Sequence, residues 1–139
     1  MNANAVGTRY PNAFGSYGVV INVVVPLGAT GNAVATLPVS GATNYIVRRV
    51  TASFPSANIA TANVIILTSS DGNTTNNAVT NNVVLSSMTV ANTTWQDIGL
   101  VTAAATTSYT AQALFVKVNN ATGAGQTCQI AVYADVVLL

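Results

Sequence analysis

Seven ionisable side chains carry almost all the chemistry this chain could do: Asp71, Asp97 and Asp135 against Arg9, Arg48, Arg49 and Lys117, with no His and no Glu. General acid–base catalysis needs a group whose pKa can be brought near neutrality, usually His or a carboxyl beside another charge. The acids stand far apart in the sequence, and no His is present to orient Ser108 or Cys128 as a nucleophile. No catalytic residue, cofactor site or metal site is expected. Ion pairing is the chemistry that remains. Arg48 and Arg49 are neighbours in an alternating segment, so they are expected to project to opposite faces of a strand. At least one would then point inward or into an interface and need a carboxylate. Asp97 and Asp135 are the expected partners, within the chain or across subunits.

A net charge of +1 offers no clustered Lys and Arg for nucleic acid. A lone Cys128 excludes an internal disulfide, and in an alternating segment it reads as a small buried hydrophobe. Asn73, Asn92 and Asn120 match the glycosylation acceptor, a chance match in an Asn- and Thr-rich chain without a secretory signal. The N-terminus lacks the basic and apolar regions of a signal peptide, and no run approaches the ~20 apolar residues of a membrane helix. Synthesis in a reducing cytoplasm and no membrane partner are the expectation. Asp71-Gly-Asn73 lacks the further acidic ligands of a calcium loop, and Gly123-Ala-Gly125 lies between two strands, where it reads as a hairpin turn.

The elements that position these residues have a period of two. Segments 15–25, 34–39, 44–54, 63–68, 79–85, 94–100, 109–119 and 127–137 alternate or run apolar between turn residues. Pro38 marks the second as an edge strand. In the last, Cys128, Ile130, Val132, Ala134 and Val136 are expected inward and Tyr133 and Asp135 outward. The final two segments read as a hairpin. Segments 57–62 and 101–107 are the only helix-friendly stretches, both short. About eight short strands in 139 residues predict one antiparallel all-β sandwich, jelly-roll-like, over 19–139.

Residues 1–18 show neither alternation nor a helical stripe. Arg9, Tyr10, Phe14 and Tyr17 are spaced along them, which suggests an extended arm that anchors on a partner through Arg and aromatics. The whole chain is 50% hydrophobic and only 5% charged, so its exposed strands lack the charges that normally guard sheet edges. Such a chain is expected to live against other protein, as a structural homo-oligomer.

Tyr45-Ile-Val-Arg-Arg-Val-Thr51 resembles a segment of small structural proteins of tailed bacteriophages. The layout of 106–119, 121–126 and 130–135 matches theirs: Ala/Thr-rich alternating strands, then a Gly/Ala turn into an apolar-alternating terminal strand. The resemblance extends over 44–137 by pattern and over 45–51 by residues. It implies a β-sandwich virion protein without catalytic residues, a capsid decoration or cement protein that binds the major capsid protein on the shell surface. Many such proteins are trimers on local three-fold axes. The arm and Arg48 and Arg49 would make the partner contacts. The alternative is a tail- or vertex-fibre head domain, whose exposed Thr/Asn loops, such as 71–80, would suit adhesion to host glycans.

Overall fold

The computed structural model describes residues 17–137, so Arg9, Tyr10 and Phe14 lie outside the described residues. Eight strands follow one another: β1 (Tyr17–Pro26), β2 (Gly31–Pro38), β3 (Tyr45–Ser53), β4 (Asn63–Leu67), β5 (Val83–Val84), β6 (Trp95–Asp97), β7 (Ala113–Asn120) and β8 (Thr127–Val136). One 3-10 turn, Thr102–Ala105, lies in the Ala/Thr segment before β7. Tyr17 and Gly18, placed in the arm by sequence, are the first residues of β1 and pair with Asp135 and Ala134.

The strands form two four-stranded antiparallel sheets, β1-β8-β3-β6 and β2-β7-β4-β5. β1 pairs with β8, β2 with β7, β3 with β6 and β4 with β5. That nesting is a long two-stranded ribbon wound over itself, and the β8–β3 and β7–β4 contacts close the winding. The result is a jelly-roll sandwich. The expected hairpin of the last two strands does not form. β7 and β8 belong to different sheets, and the 121–126 turn carries the chain from one to the other. Alternation shows which side chains face inward but is silent about the strand's partner.

The core lies between the sheets. Val25, Val47, Val50 and Ala52 of the first sheet meet Leu37, Val64, Ile66, Leu114 and Val116 of the second, with Cys128, Ile130, Val132 and Ala134 of β8 buried as the alternation requires. Ile59, Leu85 and Met88 come from connecting segments, where backbone bonds such as Ile59 N–H to Met88 O (3.0 Å) hold them in place. One end is locked by backbone packing. Leu27 N–H donates to Gln126 O and Thr122 N–H to Leu27 O, both at 2.9 Å. A Cβ on Gly28 would stand 2.9 Å from the Gly125 nitrogen, so only glycine fits there.

Candidate interaction surface

The outer face of the β1-β8-β3-β6 sheet brings together Tyr17, Arg48 and Arg49, three of the residues singled out by sequence. Its cross-strand rows follow from the register. Tyr17, Asp135 and Ile46 share one row, and Val19, Tyr133 and Arg49 the next. Then come Asn22, Ala131, Thr51 and Asp97, and finally Val24, Gln129, Ser53 and Trp95.

The adjacent arginines do not point to opposite faces. β3 is irregular between Val47 and Arg49 where it meets β8, and both guanidinium groups lie outside, with side chains 41% and 45% exposed. A β-bulge inserts one residue against an unbroken partner strand and so breaks the two-residue period. A second bulge, between Val19 and Ile21 of β1, falls against the same stretch of β8 and has the opposite consequence. There, consecutive Val20 and Ile21 are both buried.

Both expected carboxylate partners are found, within the chain. Arg48 Nε donates to Asp135 Oδ2 at 2.7 Å and its Nη1 to Ala105 O at 3.2 Å. Arg49 Nε donates to Asp97 Oδ1 at 2.6 Å, and this bond holds the guanidinium above its usual pKa. The Arg49 guanidinium also lies 5.4 Å from the centroid of the Trp95 ring. The Tyr17 and Tyr133 rings lie 6.3 Å apart and nearly parallel, at 14°. With two cations and two carboxylates, the face is close to neutral.

Between Arg48, Arg49 and the segment 97–100 a groove of about 380 Å3 opens, walled by Tyr17 and floored by Val50 and Ile98. Trp95, Tyr17, Val24 and Val19 are 57, 57, 60 and 51% exposed, which makes this face unusually apolar for open surface. Phe54, the residue after β3, is also 60% exposed. Its backbone has φ 50°, a left-handed conformation costly for a bulky residue. Sequence reasoning placed Tyr133 outward, but did not join it to the arginines. That required knowing that β8 lies between β1 and β3.

A smaller hollow of about 330 Å3 lies between the 74–78 segment and the 3-10 turn, lined by Thr74, Asn76, Thr107 and Tyr109 among others. Tyr109 packs 5.9 Å from Tyr45, whose hydroxyl donates to Ala111 O at 2.6 Å. Burial, then Tyr109, push the Tyr45 hydroxyl up to about 12. Burial likewise pushes the Cys128 thiol up to about 12, which leaves it protonated and unreactive at neutral pH. Asp71 is held below the usual carboxylate range by the Ser69 hydroxyl and then the Asn73 N–H. No group of three or more metal-ligating side chains occurs among the described residues.

Comparison with family models, curated proteins and solved structures returns no match.

Proposed function

We propose that the chain is a non-enzymatic virion structural protein that docks on the outer surface of a phage capsid and decorates or stabilises the shell. The observation that carries this reading is the outer face of the β1-β8-β3-β6 sheet. It exposes Tyr17, Val19, Val24 and Trp95 while its charges cancel in pairs. A near-neutral, aromatic-rich surface suits burial against protein, where Tyr, Trp and Arg supply most anchors. On a repeating shell each weak contact recurs many times. Arg9, Tyr10 and Phe14 would add contacts from the N-terminal segment, and the major capsid protein is the proposed partner. Quantitative mass spectrometry of gradient-purified particles tests the assignment. One unit per few capsid subunits is the expected result, and absence from particles would end the reading.

The hollow beside Tyr109 favours a second reading, a fibre head domain that holds a host glycan among Thr74, Asn76 and Thr107. A handful of copies per particle, with glycan binding lost in Tyr109→Ala, would select it over decoration.

A further inference from the structure

The four sheet edges of the sandwich are not protected alike. β5 has two residues and β6 three, and the Gln96 side chain links the flanking segments by accepting from Ser87 N–H and donating to Val84 O. β2 carries Pro38 and an irregular register between Gly31 and Ala35. Short strands, proline and irregularities are the usual means of blunting an edge. β1 is different. It is ten residues long, has no charged side chain, and meets proline only at its last position.

Which of its backbone groups are free follows from parity. Leu27 N–H donates to Gln126 O, so Val25, Val23 and Ile21, paired with Cys128, Ile130 and Val132, also turn their N–H and C=O toward β8. Asn22 and Val24 must turn theirs outward. The Val20 carbonyl, of the same parity, does so and accepts the Ser40 N–H at 2.9 Å. No backbone partner for Asn22 or Val24 on that side occurs among the described residues. The open window is therefore bounded by Ser40 at one end and by Pro26, which has no N–H, at the other.

We infer that this window is the docking edge for a second copy of the chain: two β1 strands pair antiparallel about a two-fold axis at Val23, Asn22 of each opposite Val24 of the other. This register uses the free N–H and C=O of both residues in both copies, and it stops where the next groups are spoken for. No like charges meet across the axis, and the exposed Val24 side chain gains a neighbour. An isologous pair closes at two copies. It thus departs from the three-fold arrangement that the phage resemblance suggests, and it does not rest on the capsid reading. So short a ladder buries little surface, which predicts weak association, on the order of micromolar to millimolar, useful chiefly where copies are already held close together.

Sedimentation equilibrium of the full chain over a wide concentration range tests this, with Val24→Pro and Val24→Lys as variants and Val84→Lys, exposed on the other sheet, as control. Val24→Pro deletes an outward N–H and leaves the β8 ladder intact. If it misfolds by circular dichroism, Val24→Lys tests the same edge by charge. Both are expected to weaken dimerisation by about tenfold or more, and Val84→Lys is expected to leave it unchanged. The register has its own readout: a mixture of Asn22→Cys and Val24→Cys chains should form more disulfide-linked dimer than either alone. A chain monomeric at every concentration overturns the proposal, as does association indifferent to both Val24 variants. Dimerisation lost on deleting residues 1–16 but kept in Val24→Pro would instead assign the contact to the N-terminal segment.

Discussion

The two sheets share one core yet treat their outer faces in opposite ways. On the β2-β7-β4-β5 sheet, Ile65 and Leu67 point away from the core and are nevertheless 5% and 0% exposed. The segment after β4 folds back over them. It crosses β7, where Lys117 Nζ donates to Gly72 O at 3.0 Å, and reaches Asn32 of β2, against which Gly72 packs. The only lysine of the chain is spent on holding its own loop. On the β1-β8-β3-β6 sheet no such cover exists among the described residues, and aromatic and aliphatic side chains of comparable size face water. Among the described residues, the chain thus covers one apolar face with its own loop and leaves the other open with its charges paired.

Truncation should break this comparison most clearly. Leu67→Ala, beneath the loop, is expected to cost about 2–5 kcal/mol, and Trp95→Ala on the open face within about 1 kcal/mol. Urea unfolding measures both. Equal losses would mean that the two faces are packed alike.

Alkaline titration addresses the core that the faces share. Tyr45 and Cys128 have folded pKa values above their unfolded ones, near 12 against 10 and 9. Their neutral forms are favoured in the fold, so this contribution is complete below the unfolded values and is lost as pH rises toward 12. Within its window each group gives a slope of about 1.4 kcal/mol per pH unit. Cys128→Ala should flatten the part that begins near pH 9, as read by thermal melts. Asp71 acts in the other direction: its depressed pKa stabilises above the ordinary carboxylate range, and the benefit disappears as pH falls through the folded value.

Loosening the cover is a smaller perturbation. Gly72 has φ 79°, and a Cβ there would overlap the Asn32 side chain. Gly72→Ala should cost about 1–3 kcal/mol and raise hydrogen exchange across 68–77. Adding Asn32→Ala should recover the steric part and leave the conformational part. The smallest change in stability belongs to the open face. Arg49→Gln removes an exposed, salt-screened ion pair and should leave the urea unfolding midpoint nearly unchanged, yet on the proposed function it should weaken shell binding markedly. A co-sedimentation assay with purified shells separates those effects.

Much of the architecture was legible in the residues themselves. Periodicity located six of the eight strands closely, Pro38 marked an edge, and the inward set of β8 was read position by position. β5 and β6 came out shorter than 79–85 and 94–100 because Thr80 and Leu100 bridge to each other instead of extending them. Scarcity of acids was enough to match Arg48 and Arg49 with Asp97 and Asp135. The sequence by itself thus determined an all-β sandwich, its core and its ion-pair partners, since alternation and composition are local quantities. Tertiary structure alone decided that β7 and β8 part to different sheets, that two bulges against β8 bury Val20 with Ile21 and expose Arg48 with Arg49, and that one outer face is covered. Each of these depends on which strand lies alongside. Pairing is a contest among distant segments for the same backbone hydrogen bonds, and only the folded chain settles it.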